Sequence, residues 1–147
     1  MKKIHWTLLF MLLVEVCYGQ QKTSAFFMAG NYATPDWEKL TFNTTKSGRG
    51  ITYSYQKNEE GHKLDVLGTK NVGNQKALMV KIQNSSRVYL ILPDRKKETV
   101  SMVSEDGTYK KTFPLGYEGP VDGRGTYCAT CANEPDDAFR LVNSFFL

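Results

Sequence analysis

The chain is poor in the residues that carry most metal and nucleophilic chemistry. Of 147 residues only 2 are histidine and 3 are cysteine, so a metal centre of imidazole and thiolate has few ligands to draw on. Charge of one sign is scarce too. The 19 basic residues stand against 15 acidic ones, a net of +4, and Asp94-Arg95-Lys96-Lys97-Glu98 mixes both signs in one short run. A nucleic-acid surface asks for a basic stripe; none is present, and no nucleic-acid partner is expected. No glycine–serine elbow, metalloprotease helix or phosphate-binding loop occurs, so no cofactor is implied. After the first residues no apolar run approaches the ~20 residues that cross a bilayer, and no membrane span is expected.

What is present begins at the amino end. Lys2 and Lys3 precede a stretch, 4–14, that is apolar apart from His5 and Thr7, and Cys17-Tyr18-Gly19 stands just before Gln20. A positive start, a short apolar middle and small residues near the exit are the layout of a secretory signal peptide. Residues 1–19 are expected to be cleaved, leaving 20–147 as a single exported domain, periplasmic or extracellular. Glu15, two positions before Cys17, rules out a lipid-carrying cysteine. Without Lys2, Lys3 and Glu15 the domain carries 17 basic and 14 acidic residues, a net of +3. Cys17 leaves with the signal, and Cys128 and Cys131 remain as an even pair in an oxidising compartment, where a disulfide is the default.

The rest reads as short strands. Residues 49–57 alternate cleanly, with Ile51, Tyr53 and Tyr55 against Thr52, Ser54 and Gln56; 77–83 sets Leu78, Val80 and Ile82 against Met79 and Lys81. Period-two alternation marks half-buried strands. Further segments at 24–29, 37–43, 62–68, 87–92, 99–104 and 107–115 complete the set. The breaks, such as Asn58-Glu59-Glu60-Gly61 and Glu105-Asp106-Gly107, are tight-turn chemistry, which makes neighbours antiparallel. The expected fold is mainly β: a small antiparallel meander barrel, or a sandwich, of seven or eight strands. From residue 134 to 146 the pattern turns helical. Asn133 is placed to cap, Pro135 suits the first turn, and Phe139, Val142 and Phe146 share one face. One C-terminal amphipathic helix is expected to plug the barrel or lie along it.

Few residues point to chemistry. Cys128-Ala129-Thr130-Cys131 has the spacing of a redox centre, but such centres sit in parallel strand–helix–strand units, so the pair is read as a structural disulfide. His62 is the single histidine of 20–147 and has an ordinary place at a strand start. No catalytic residue and no metal ligand set is assigned. The glycine-rich stretch 116–125 reads as a surface loop, with Tyr117, Arg124 and Tyr127 as its binding anchors, because Tyr and Arg are favoured at hot spots. Tyr32, Trp37, Tyr53 and Tyr55 are the candidates to line a pocket if the interior is hollow.

In general plan the chain resembles the small exported barrels that inhibit lysozymes in the bacterial envelope. Those carry a Ser-Gly-x-x-Tyr loop that enters the enzyme's cleft. Here Ser47-Gly48-Arg49-Gly50 is followed by Ile51, and the nearest tyrosine is Tyr53, so the motif is incomplete and membership is not assigned. Three functions are carried forward. The first is an exported non-enzymatic binding module, an inhibitor or immunity-type partner of another exported protein. The second is a lipocalin-like carrier of a small apolar ligand, using Tyr53 and Tyr55. The third is a thiol–disulfide redox protein built on Cys128 and Cys131.

Overall fold

The computed structural model describes residues 21–30, 33, 35–116 and 128–147, and Glu59 by its backbone alone. Eight strands follow one another in chain order: β1 (Ser24–Ala29), β2 (Glu38–Thr45), β3 (Gly48–Tyr55), β4 (Asn58–Val72), β5 (Gln75–Ile82), β6 (Val88–Asp94), β7 (Thr99–Ser104) and β8 (Lys110–Pro114). They form one antiparallel meander sheet in which each strand pairs with the next. There is no second sheet to make a sandwich among the described residues. The sheet curls until its first and last strands meet, but only at an isolated bridge, Phe27↔Leu115. Beside it the Gly116 N–H donates to the Phe26 carbonyl at 2.9 Å. A Cβ on Gly116 would lie 2.1 Å from the Phe26 ring, so the close approach of the two edges needs glycine there. The barrel is therefore curled but not closed by a ladder.

The predicted alternation becomes an inside and an outside. Phe27, Leu40, Phe42, Ile51, Leu78, Val80, Ile91, Val100, Met102 and Phe113 are fully buried and form one continuous core. The helix closes one end of it. Helix α1 (Pro135–Asn143) runs into a 3-10 turn (Ser144–Phe146), within the bounds expected from the sequence. Its cap is Glu134, not Asn133, and no side chain closes it. Pro135 at the first helical position supplies the preset φ and needs no amide partner. Ala138, Phe139, Leu141 and Val142 face inward. Phe139 meets Phe27 edge-on with ring centres 5.5 Å apart, and Phe145 meets Phe42 in the same way at 5.5 Å.

Polar contacts hold this plug against the turns at the same end. Arg49 donates to the Ser144 carbonyl, Arg95 pairs with Asp136, and Lys76 donates to the Phe146 carbonyl at 2.9 Å. The segment before the helix is tied to β1: the Thr23 N–H donates to the Thr130 carbonyl at 2.9 Å, and the Ala132 N–H to the Ser24 carbonyl at 2.7 Å. Because successive turns of a meander alternate between ends, the loops before β2, after β3, after β5 and after β7 all lie at the other end, the mouth. Truncating Phe139 to Ala should cost about 3–5 kcal/mol, read as a lower urea midpoint with an unchanged slope.

Candidate functional site

The inward phase of the strands does not stay apolar up to the mouth. On β2 the register Leu40, Phe42 extends back to Glu38, and on β8 Phe113 extends back to Lys111. On β3 Ile51 is followed by Tyr53 and Tyr55, and Tyr109 enters just before β8. These side chains converge. The Glu38 carboxylate accepts a hydrogen bond from the Tyr53 hydroxyl at 2.6 Å and one from the Tyr109 hydroxyl at 2.6 Å on Oε2. Its Oε1 accepts from the Lys111 ammonium. The Glu38 side chain is 18 % exposed, so water does little to screen the cluster.

The electrostatics follow from that geometry. Burial alone would raise the Glu38 pKa, but hydrogen bonds from Lys111, Tyr109 and Tyr53, with the charge on Lys111, outweigh it and hold the carboxyl below its ordinary 4.5. Burial first, and then the hydrogen bond to the Glu38 anion, push the Tyr53 and Tyr109 phenols far above their usual range. Both therefore remain neutral donors. The turn that delivers Tyr109 is itself fixed by an anion. The Ser104 hydroxyl, and then the hydroxyl and amide of Thr108, hold the Asp106 carboxyl well below the usual carboxylate range.

Around this cluster lies a cleft of about 280 Å³, lined by Pro35, Asp36, Trp37, Glu38, Tyr53, Tyr55, Gln56, Lys57 and Lys111. Tyr53 and Tyr55, singled out from the sequence as pocket residues, thus line a cleft at the mouth and not a hollow in the barrel. Tyr55 packs on one side against Tyr53 at 5.8 Å and on the other against the His62 ring at 6.0 Å. His62 Nε2 lies 3.0 Å from Asn58 Nδ2, which fixes the ring as an edge of the aromatic row. Trp37 also lines the cleft but is buried. Glu38, Tyr109 and Lys111 were not found by sequence reasoning. The signal was available: Glu38 and Lys111 are polar side chains in the inward phase of strands whose other inward positions are apolar, and Tyr109 continues the phase of Lys111 and Phe113 just before β8.

The other sequence candidates fall elsewhere. Cys128 and Cys131 are joined as a disulfide, in the turn that precedes the helix and binds β1. Cys131 is buried, and three residues separate it from the first helical position. The helix terminus that would lower a cysteine pKa is therefore not adjacent. Tyr117, Arg124, Tyr127 and Tyr32 lie outside the described residues, as does the whole of 1–19. Ser47 lies in the β2–β3 turn and Gly48 opens β3, with the Thr45 and Ser47 hydroxyls 2.8 Å apart; that turn is at the plug end, away from the mouth.

A larger groove of about 840 Å³ runs beside the plug, between Lys22, Lys46, Thr44 and the helix residues Asp137 and Arg140. Two of its cations are engaged, Lys22 with the Ala129 carbonyl and Arg140 with Asp137. Among the described residues no group of three His, Cys, Asp or Glu side chains is placed to hold a metal ion, and no helix is long and apolar enough to cross a membrane. No family model, curated protein or solved structure matches this chain.

Two outcomes follow from the site. Because the folded Glu38 titrates below its unfolded value, the stability it lends is complete above pH 4.5 and is lost as pH falls through its folded pKa. Glu38→Gln should lower stability at neutral pH and flatten the acid limb of the stability curve measured by urea unfolding between pH 2 and 7. Replacing both Cys128 and Cys131 with Ser should cost about 2 kcal/mol, the loop-closure value for so short a ring, with no other change in the mouth as seen in tyrosine fluorescence.

Proposed function

We propose that this chain is an exported, non-enzymatic binding module that recognises another exported protein with the mouth of its barrel, in the manner of an inhibitor or an immunity-type partner. One observation carries the reading. The barrel interior is filled by Phe27, Phe42, Phe113 and Phe139, while a cleft of about 280 Å³ opens at the mouth beside Tyr53 and Tyr55. The packed interior leaves no room for a ligand carried inside, and the open cleft at the mouth offers a surface to a partner. Its surroundings fit the same use, with an amphipathic tyrosine face and charged Asp36 and Lys57 at its edge, as at the rim of a protein interface.

The carrier reading would need the phenylalanine core to move aside. The redox reading lacks the parallel strand–helix–strand setting in which such cysteine pairs work, since every ladder of this sheet is antiparallel. The hydrogen bonds of Glu38 also bear on mechanism. Glu38 accepts from both phenols and from Lys111, so the cluster holds Tyr53 in one orientation beside the cleft.

The test uses the purified chain as bait for the exported proteins of its source, with Tyr55→Ala and Lys57→Glu variants alongside. A specific partner should be retained by the wild type and bound at least about tenfold more weakly by each variant, the effect of losing one interface anchor. Equal retention by wild type and both variants would remove the mouth from recognition. A stoichiometric lipid or other apolar molecule in an organic extract of the purified protein would favour the carrier instead.

A further inference from the structure

Large apolar side chains left exposed among the described residues are concentrated on one half of one strand. Val66, Leu67 and Val72 are 46, 49 and 40 % exposed, and all three belong to the second half of β4. The same half-strand is where the sheet's pairing lapses. The β3–β4 register ends at Ile51↔Leu64, whereas β4 continues to Val72 paired with β5 alone. From Asp65 onward one edge of β4 takes part in no ladder among the described residues, and the remaining residues of β3 in that direction, 48–50, pair with β2 alone. Val66 pairs with the buried Val80, so its side chain has the inward phase, yet it stays half in water because β3, which continues to Gly48, no longer pairs with β4 beyond Ile51↔Leu64.

Exposed edges are ordinarily blunted by charges, proline or bulges. Here a register shift between Val66 and Gly68, with Gly68 at φ 142°, bends the strand. It also leaves Leu67 as the extra residue, turned outward, so the edge keeps its apolar surface. A strand with free backbone groups and apolar side chains invites addition of another strand.

The geometry points to a second copy of this chain as that strand, paired antiparallel β4 to β4 about a two-fold axis between Leu67 and Gly68. Charge decides for self-pairing. In this register Asp65 stands opposite Lys70 of the second copy, and the two-fold makes the pair twice. Leu67 stands opposite Gly68 of the second copy, where the absence of a side chain leaves it room. Asp65 has no ion pair among the described residues. Lys70 is held by Glu105 at 3.0 Å, with both side chains well exposed, a kind of surface pair worth little on its own, so it is free to exchange. The pairing goes beyond the mouth reading and does not depend on it, because it uses none of the residues that line the mouth cleft. It is short and buries little area, which makes a weak dimer.

Sedimentation of the purified wild-type chain over a concentration series should show the mass doubling as concentration rises. Asp65→Lys alone, and Lys70→Asp alone, should each weaken the dimer at least about tenfold, and the double variant Asp65→Lys/Lys70→Asp should restore it. A wild type that stays monomeric to about 1 mM, a dimer indifferent to either single change, or a folded double variant that does not recover would each overturn the proposal. As a second reading that needs no variant, hydrogen exchange at amides 66–72 should slow as wild-type concentration rises; unchanged exchange would also overturn it.

Discussion

Everything at the mouth is arranged around one carboxylate. Glu38 stands on β2, Lys111 on β8, and β1 passes between those strands with the small Ala29 opposite Glu38. The interaction therefore reaches across the seam of the barrel at the point where the backbone supplies least. The two edge strands share one bridge and one neighbouring hydrogen bond, far less than the ladders elsewhere. Burying an ion costs several kcal/mol, and each hydrogen bond to a charged group returns roughly 1.5–3 kcal/mol. With two phenols and an ammonium the sum can offset the burial, and each partner lost shrinks that return. Glu38, Tyr53, Tyr109 and Lys111 therefore act as a set, and the aromatic row of Tyr55 and His62 rests on it.

The two ends of the barrel solve the same problem with different chemistry. At the plug end, Phe139 and Phe145 fill the space and the turns are held by Arg49, Arg95 and Lys76 on the helix. At the mouth a layer of polar groups stands where leucine or phenylalanine would pack more simply. Well-packed apolar residues often match or exceed a buried ionic cluster in stability. A sequence that keeps the polar layer departs from the local pattern, and such departures concentrate where a protein works. That argument, and not a recognised motif, directs attention to Tyr53, Tyr55 and Lys57.

Much of the architecture was legible in the residues. Alternation in 49–57 and 77–83 and the Asn- and Gly-bearing turns imply an antiparallel meander, and Pro135 with the Phe139–Val142 stripe implies the helix that ends it. The limits of that legibility are physical. The strand expected at 62–68 spans Asn58 to Val72: Asn58 to Gly61, read as a turn, open the strand with Asn58 opposite Tyr55, and the bulge between Val66 and Gly68 shifts the phase, where a period-two reading stops. Tyr53 and Tyr55 could be named from the sequence as aromatic residues for a pocket, on the condition of a hollow interior, and they line the mouth cleft instead. What holds them could not: Tyr109 and Lys111 come to Glu38 from 71 and 73 residues away, a distance that only the curl of the sheet removes.

The edges complete the picture. An open meander has two edge strands by topology, and here the C-terminal chain covers one of them. Residues 130–132 bind the first residues of β1 through Thr23 and Ser24, and Leu115 and Gly116 meet Phe26 and Phe27 further along it. The disulfide between Cys128 and Cys131 stiffens the segment that makes the first of these contacts. It acts where an edge would otherwise stand open, which gives a short cross-link a structural use its small loop entropy does not suggest. The break in pairing appears in the middle of the meander instead, where β3 and β4 part after Ile51↔Leu64 and β4 continues. A strand that parts from its neighbour makes a new edge inside the sheet, and it is on that inner edge that the apolar side chains are exposed.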